Sequence, residues 1–310
     1  MSQPSPTSTS PLPLRIGVIG AGRVGGAMCL AAHAAGYPVV SIYSRTTERA
    51  RALCRATGAA LAADIAAVAT GASFILIAVP DDAIAAVDAA GKDAWQPGSL
   101  VVHHSGVHPA SVLEHAAAAG ACTATLHPLQ AVPSAEAGVE LFKGSYFGIS
   151  GHPRCLPVLE SFVRGLGGHP LRIDDEAKPL YHAAAVFASN YLVACFAQAV
   201  RLLVELGISE EEAAAALLPL ARGAVNNLAH PGLPDALTGP LTRGDVGTVR
   251  QHLQQLAEYP QTDSLYRQLA LAALPIVAEQ GRLPAARLEA LRRLLAIPHQ
   301  SFSLSVSGST

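Results

Sequence analysis

Aromatic and charged residues are scarce in this 310-residue chain, at 5% and 14%, whereas hydrophobic residues make up 50%. The net charge of −2 leaves no basic excess of the kind that binds nucleic acid, and no polybasic run marks an anionic membrane surface. The apolar residues are mostly alanine and leucine, which favours closely packed helices. A chain of this length can bury two hydrophobic cores, so we expect two domains.

Cysteines are also few: the five of them are irregularly spaced and form no CxxC pair. This pattern predicts neither a disulfide framework nor a structural zinc site, and it is typical of a protein in the reducing cytoplasm. No long uninterrupted apolar run suggests a membrane span. Residues 1–13 (MSQPSPTSTSPLP) are predicted to be a disordered leader rather than a signal peptide, and residues 298–310 a mobile tail.

Short apolar runs alternate with alanine-rich stretches in the first half of the chain, over 14–19, 39–43, 74–79, 100–103, 122–126, 146–149 and 170–173. Continuous apolar strands separated by helices predict an α/β domain with a doubly wound, mostly parallel sheet over 14–174. No strand pattern follows, so residues 175–297 are predicted to form an all-helical domain. It would open with one long helix over 178–206 and continue with a helix capped by Ser209.

The first predicted strand runs directly into the sequence GAGRVG, with glycines at 20, 22 and 25. In this position Gly20 permits the tight turn, Gly22 lets a pyrophosphate approach the backbone, and Gly25 lets helix and strand pack closely. The context of strand, glycines and helix predicts a dinucleotide-binding Rossmann domain. The residues predicted to hold the cofactor at this loop are Gly20, Gly22, Arg23, Val24 and Gly25.

The second strand ends in Ser44, Arg45 and Thr46, where an NAD enzyme usually has an acidic residue for the ribose 2′-hydroxyl. Arg45 could instead pair with the 2′-phosphate, and the hydroxyls could add donors. The sequence therefore favours NADP(H) as cofactor, unless Arg45 is only a solvated loop residue. Val79 and Pro80, which end the next predicted strand, are expected on the same cofactor edge, and the following Asp81 or Asp82 is expected to cap a helix.

Histidines end the next two predicted strands. His104, Ser105 and Gly106 follow one strand, and His127 lies at the end of the other, so both groups should open onto the nicotinamide edge. Each histidine could instead form a structural hydrogen bond. We expect no metal site, because no cysteine, aspartate or glutamate accompanies them at ligand spacing.

The long predicted helix carries further polar residues in an apolar setting. His182, Ser189 and Asn190 need hydrogen-bond partners, which either a cleft between the domains or an internal network would supply. Farther along, Arg243 could bind a substrate carboxylate or only hold its loop.

Six segments carry a family resemblance: GAGRVG, FILIAVPDD, VVHHSGVHP, ATLHPLQ, YHAAAVFASNYLV and LTGPLTRGDVGTVRQHL. Together they resemble a bacterial family of Rossmann-like proteins whose C-terminal helical domain has no assigned function. That family is similar in layout to 6-phosphogluconate dehydrogenase, 3-hydroxyisobutyrate dehydrogenase, ketopantoate reductase and pyrroline-5-carboxylate reductase. The resemblance implies NAD(P)-linked chemistry and a homodimer formed through the helical domain, without naming a substrate.

The sequence departs from several of those relatives at one position. They place a catalytic lysine four residues before an asparagine on this helix, and Val186 stands there if Asn190 is that asparagine. His182 or His104 would then donate the proton, since histidine titrates near neutral pH.

These residues predict a cytoplasmic NADP-dependent oxidoreductase that reduces a small carbonyl or imine, such as a 2-oxo acid of the ketopantoate type, by hydride transfer in the interdomain cleft. Ser105, Gly106, His127, Ser189 and Arg243 would bind the substrate, and Asn190 would assist catalysis. Two alternatives are a non-catalytic NADP(H)-binding redox sensor or assembly protein, and a deazaflavin-linked NADP oxidoreductase.

Overall fold

The computed structural model describes residues 14–296, so the predicted leader and tail lie outside the described residues. The chain divides into two compact units, one ending at Asn190 and the other beginning at Tyr191. The described part of the first unit is built on one 8-stranded sheet, and the described part of the second consists of helices and their connections.

The sheet of the first unit is doubly wound. Its strands are β1 (Ile16–Ile19), β2 (Val39–Tyr43), β3 (Ala60–Leu61), β4 (Phe74–Ile77), β5 (Leu100–His103), β6 (Cys122–Pro128), β7 (Tyr146–Gly151) and β8 (His169–Arg172). Their order is β3-β2-β1-β4-β5-β6-β7-β8, and every pair is parallel except β6 with β7. The predicted fold class is confirmed, although the two-residue β3 is too short for a periodic signal and was not predicted. Ligands bind beyond the strand ends where the order reverses, here between β1 and β4.

Eight helices of the described first unit flank this sheet: α1 (Arg23–Ala34), α2 (Thr47–Thr57), α3 (Ile65–Gly71), α4 (Ile84–Ala90), α5 (Glu114–Ala118), α6 (Gly138–Leu141), α7 (Leu156–Gly165) and α8 (Lys178–Ala188). Alternate strand residues enter two separate cores. Val18, Leu76 and Val102 pack into one, whereas Ile77 and Val101 pack into the other. Both faces of the sheet are therefore covered, which explains why its strands are continuously apolar.

A disulfide joins Cys122, at the start of β6, to Cys155, just before α7, with the Cα atoms 6.0 Å apart. The expectation of a chain without disulfides was wrong. The antiparallel pairing of Ala124 with Gly151 brings the two segments together, and irregular cysteine spacing carries no signal of that pairing. The cytoplasmic location stays a prediction.

The predicted helix over 178–206 is interrupted at Ser189, so that a separate helix α9 (Asn190–Val204) follows α8. The Ser189 hydroxyl lies 2.8 Å from the Ala185 carbonyl oxygen and 2.9 Å from Asn190 Oδ1. Such side-chain bonds compete with the helical backbone. Helix α8 therefore lies in the first unit, although the sequence analysis placed it in the helical domain from residue 175.

The stretch Asp175–Val204 is long and apolar enough to cross a membrane by length and composition, contrary to the sequence-based expectation. Only 6% of its most apolar window is buried within the chain. However, Lys178 near its start is 1% exposed and bonded to the sheet. The core helices of soluble proteins can have the same length and composition.

The described second unit continues after α9 with α10 (Glu210–Ala229), α11 (Val246–Leu256), α12 (Pro260–Glu279) and α13 (Ala285–Leu295). Ser209 and Asp245 accept the backbone N–H groups of Glu212 and Thr248, and the first of these bonds confirms the predicted cap at Ser209. Helices α11, α12 and α13 share an aliphatic core of Val249, Leu253, Ala270, Leu274, Leu291 and Leu295. In contrast, α9 and α10 each contain one fully buried residue, Val200 and Ala213.

The buried carboxylate of Asp88, on α4, caps helix α5 from a neighbouring element. It accepts the backbone N–H groups of His115 and Ala116 at 2.7 and 3.0 Å. Because both donors lie in the first turn of α5, the carboxylate satisfies N–H groups that have no partner within the helix.

We predict that Asp88→Ala lowers the free energy of unfolding by about 1–3 kcal/mol, because it leaves buried N–H groups without acceptors. Asp93→Ala, which removes an exposed carboxylate five residues away, should change it by less than about 0.5 kcal/mol. Urea unfolding followed by circular dichroism measures both. Equal stability of the two variants would contradict the capping role.

Candidate active site

The glycine loop between β1 and α1 has the geometry that a bound pyrophosphate requires. Gly20 has φ +104°, and a Cβ there would collide with the carbonyl oxygen of Ala78, while a Cβ on Gly25 would collide with the carbonyl oxygen of Gly20. A Cβ on Gly22 would meet no atom of the protein within 4 Å. Gly20 and Gly25 are thus required by close packing, whereas Gly22 leaves open space at the amino end of α1, where backbone N–H groups attract anions.

The end of β2 presents an unpaired cation. Arg45 and Thr46 are exposed, and Ser44 Oγ accepts the N–H of Thr46 at 3.3 Å. Within residues 14–296, Arg45 forms no ion pair. The nearest acidic residue along the chain is Glu48, in the first turn of α2. The arrangement suits a 2′-phosphate, and its contact with Arg45 stays a prediction.

Val79 and Pro80 follow β4, as expected, and lead into a 3₁₀ turn over Asp81–Ala83. Neither Asp81 nor Asp82 forms a side-chain cap there, so the expectation of capping was wrong. The carboxylate of Asp81 instead acts through its charge, since it raises the pKa of Lys178 against the larger effect of burial.

Histidines 103 and 104 at the end of β5 differ in what their rings contact. His103 is buried, with Nε2 3.1 Å from the carbonyl oxygen of Pro109 and Nδ1 accepting the N–H of Ser105. Both of its nitrogens are used, and its role is structural. The Nδ1–H of His104 donates to the carbonyl oxygen of Leu126, while its Nε2 is buried without a hydrogen-bond partner among residues 14–296.

Ser105 and Gly106 form the turn that follows. The Ser105 hydroxyl oxygen accepts the N–H groups of Val107 and His108 and so holds the turn. A Cβ on Gly106 would collide with the rings of both His127 and His182. The missing side chain at this position therefore makes room for two imidazoles, which the structure brings together over the β5 turn.

His127, on β6, is oriented by Tyr181 of α8. The Tyr181 hydroxyl lies 2.9 Å from His127 Nδ1 and 3.4 Å from the His127 carbonyl oxygen, so these contacts hold the ring in place. The rings of His127 and His182 have centroids 5.6 Å apart in an edge-on arrangement. His182 Nδ1 is buried with no hydrogen-bond partner in the described chain.

Lys178, in the first turn of α8, anchors this helix to the sheet. Its Nζ donates to the carbonyl oxygen of Ser105 at 3.1 Å and to Thr125 Oγ1 at 3.0 Å. Thr125 Oγ1 accepts from the lysine and also shares a hydrogen bond of 2.7 Å with Ser150 Oγ. The ammonium group thus connects the turn after β5 and the middle of β6 to α8.

Burial determines the charge state of the cluster. It lowers the pKa of His104 to about 4 and, aided by the charges of His182 and Lys178, that of His127 to about 3. It also lowers the pKa of Lys178 to about 8 and raises that of Tyr181 to about 12. At neutral pH the rings of His104 and His127 are therefore uncharged.

This overturns the assignment of His104 as proton donor. The single ring proton of neutral His104 is on Nδ1, where it is donated to Leu126, so Nε2 can only accept a hydrogen bond. A sequence cannot show which nitrogen is protonated, because that depends on the carbonyl that the ring meets. His182 stays a predicted donor.

Within residues 14–296, no hydrogen bond links Ser189 or Asn190 to this cluster. Ser189 and Asn190 lie at the break after α8 and bond to each other, and Asn190 is exposed. Arg243 is exposed in the second unit. No group of three histidine, cysteine, aspartate or glutamate side chains within residues 14–296 is placed to hold a metal ion.

Sequence reasoning missed Lys178 and Tyr181 as members of the site. A signal for both was present, since Lys178, Tyr181 and His182 are spaced i, i+3 and i+4 and so share one helical face. This shared face was not recognised, because the helical phase of Lys178, a residue at the predicted start of the helix, is uncertain.

Comparison with known proteins agrees with this architecture. Residues 1–128 match the model of a Rossmann-like domain, and residues 145–273 match the model of a domain of unknown function, DUF2520. The chain carries a Rossmann-like domain followed by a DUF2520 domain. The resemblance predicted from the six sequence segments is confirmed. A comparison with curated protein sequences gave no significant match.

Solved structures with the same fold include several oxidoreductases. A protein from Bacteroides fragilis, classed provisionally as an NADP oxidoreductase, is 27% identical and has a TM-score of 0.69, covering 84% of this chain and 97% of its own. A pyrroline-5-carboxylate reductase from Coxiella burnetii is 16% identical, has a TM-score of 0.58 and covers 91% and 99%. A reductive aminase from Aspergillus terreus, solved with NADPH, is 19% identical, has a TM-score of 0.53 and covers 92% and 93%. The last two likenesses establish the fold alone.

The depressed pKa of Lys178 predicts a pH-dependent stability. Between pH 8, the approximate pKa of Lys178 in the folded chain, and pH 10.5, its ordinary pKa, the unfolded chain binds the proton and the folded chain does not. The contribution of Lys178 to the free energy of unfolding therefore rises with pH across this window. We expect the wild type to gain stability relative to Lys178→Met across this window. Urea midpoints at pH 7.5, 9 and 10.5 test this, and parallel pH profiles would contradict it.

Proposed function

We propose that this protein is an NADP-dependent oxidoreductase that reduces a small carbonyl or imine by hydride transfer. The observation that carries the proposal is the glycine loop followed, on the same strand-end edge, by a buried cluster of polar side chains. Ligands of such folds bind beyond these strand ends. Similarity to a protein classed as an NADP oxidoreductase, at 27% identity, supports the same assignment.

The glycine loop, Arg45 and the β4 end would hold the cofactor. The open space at Gly22 would accept the pyrophosphate, Arg45 and Ser44 would bind the 2′-phosphate, and Val79 and Pro80 would border the nicotinamide. When bound, NADPH supplies a hydride. The chain's own residues then have to exclude water, orient the substrate and control its proton.

The buried cluster at the ends of β5 and β6 would perform those tasks. His104 offers a lone pair at Nε2, and Gly106 leaves the space between strand end and helix that the rings of His127 and His182 need. His182, whose Nδ1 is unpartnered, is the candidate proton donor for a carbonyl substrate. Ser105, Ser189, Asn190 and Arg243 stay proposed contacts to a substrate.

A non-catalytic NADP(H)-binding role is the second candidate. It is favoured by the lack of a proton on His104 Nε2, at the strand end nearest the proposed nicotinamide position. Consumption of NADPH with any small ketone, aldehyde, 2-oxo acid or imine would exclude it.

The cofactor assignment predicts that Arg45→Ala raises the Kd for NADPH about 10- to 100-fold, because a charge-assisted bond to the 2′-phosphate is lost. The Kd for NADH should change less than about threefold, since NADH has no such phosphate. Titrations followed by cofactor fluorescence measure both constants. Arg55→Ala, an exposed arginine at the end of α2, is the matched control and should change neither.

If Arg45→Ala weakens the binding of NADPH and NADH equally, the 2′-phosphate contact is contradicted. If the wild-type protein binds neither cofactor, the proposed function is overturned.

We also propose a homodimer formed through the helical unit. Helices α9 and α10 expose large apolar side chains, among them Leu192, Val193, Leu218, Leu220, Val225 and Leu228. Exposed large apolar side chains in such number are typical of a protein interface. A second copy is the occupant that the family resemblance implies.

Light scattering coupled to size exclusion should give a mass about twice the chain mass of 31.8 kDa. The double variant Leu220→Asp/Leu228→Asp should shift it to the monomer, because buried unpaired carboxylates oppose association. Gln254→Asp, an exposed control on α11, should remain dimeric. A monomeric wild type would refute the interface.

A further inference from the structure

The ring of His104 is held in one tautomer. Its Nδ1 bonds to the carbonyl oxygen of Leu126, and since a carbonyl can only accept, Nδ1 carries the proton. Nε2 of the neutral ring therefore presents a lone pair.

This lone pair has no use within the described chain. Nε2 is buried and has no hydrogen-bond partner among residues 14–296. Buried polar atoms nearly always have a hydrogen-bond partner, because burial removes their hydrogen bonds to water and an unreplaced bond costs free energy. A bound molecule that satisfies Nε2 must supply an N–H or O–H group, and a carbonyl oxygen or a carboxylate would face a repelling lone pair.

His104 lies where a reacting group is expected. It directly follows β5, and its backbone N–H donates to the carbonyl oxygen of Ile77, the last residue of β4. Strands β1 and β4 flank the point at which the strand order reverses, so this strand end borders the crevice that binds ligands in such sheets.

We propose that His104 selects an iminium substrate by accepting a hydrogen bond from its N–H. The proposal rests on the oxidoreductase function proposed above and narrows its substrate class from carbonyls and imines to protonated imines.

The reaction balances without a proton from the protein. One C–H bond of the dihydronicotinamide ring breaks with its electron pair and one C–H bond forms at the iminium carbon. The C=N π pair moves to nitrogen, so the iminium is reduced to a neutral amine and NADPH is oxidised to NADP⁺. Reduction of a ketone would additionally need a proton for the alkoxide, and His104 Nε2 has none to give. Accordingly, the absence of a lysine at Val186 does not impede the iminium reaction.

The low basicity of the ring suits this task. Burial lowers the pKa of His104 to about 4, so the ring can accept a hydrogen bond without removing the proton that makes the imine carbon electrophilic. A more basic ring would deprotonate the iminium and slow hydride transfer.

The first test compares 1-pyrroline, a five-membered cyclic imine, with cyclopentanone, its carbonyl counterpart, in NADPH oxidation by the wild-type protein. We expect kcat/KM to favour the imine by about 100-fold or more, since a site built to hydrogen-bond a group discriminates strongly against its absence. A wild type that reduces cyclopentanone as well as 1-pyrroline would overturn the proposal.

Two reciprocal variants separate recognition from folding. His104→Asn places an amide N–H toward Leu126 but removes the acceptor at Nε2, and it should reduce the imine preference at least about tenfold. His104→Gln can return an amide oxygen to the Nε2 position, and it should keep the preference within about threefold. Both should bind NADPH with unchanged Kd. An imine preference that survives in His104→Asn and is lost in His104→Gln would overturn the proposal.

A measurement without turnover decides the tautomer. Long-range ¹H–¹⁵N spectra of histidine-labelled protein, assigned with His104→Asn, should show His104 Nε2 unprotonated. With NADP⁺ present, pyrrolidinium chloride should shift this nitrogen upfield, and tetrahydrofuran, which has no N–H, should not. A protonated Nε2, or equal response to both probes, would overturn the role of His104.

The two proposals fail differently. If the protein binds neither NADPH nor NADH, the proposed function fails whatever the spectra show. If it binds NADPH but pyrrolidinium leaves Nε2 unmoved, the iminium proposal fails and the cofactor assignment stands.

Discussion

The contact on which the candidate site depends joins the Lys178 ammonium group to the turn after β5 and to the middle of β6. An ammonium group that is only 1% exposed is costly unless its protons find acceptors, and Ser105 and Thr125 supply two of them. The contact holds the first turn of α8 against the sheet. Tyr181 and His182, three and four residues farther on the same face, are thereby brought over the β5 turn.

The burial that creates this cluster also sets its chemistry. An imidazole away from water resists a second proton, so His103, His104 and His127 stay neutral at physiological pH. The tautomer of His104 then follows from the backbone carbonyl that it meets. Strand-end carbonyls, rather than the intrinsic acidity of histidine, decide whether a ring nitrogen offers a proton or a lone pair to a ligand.

Much of the fold could be predicted because its signals are local. Strands β1, β2 and β4 to β8 are apolar runs between turn residues, and the roles of Gly20 and Gly25 follow from a spacing that only one turn geometry satisfies. The break at Ser189 and the disulfide between Cys122 and Cys155 could not be predicted this way. The helix break depends on the Ser189 side chain, which competes with the backbone hydrogen bonds of its own helix. The disulfide depends on the antiparallel pairing of β6 with β7.

The sequence by itself determined the class of fold, the phosphate-binding loop, the arginine in place of an acid after β2, and the strand ends at which polar residues gather. These are properties of short segments, where a few backbone angles and side chains decide the outcome. Only the tertiary structure decided which polar residues form one site and which proton each ring carries. Lys178 and Tyr181 of α8 bond to Thr125 and His127, each more than fifty residues away, and partners at that separation produce no periodic pattern in the sequence.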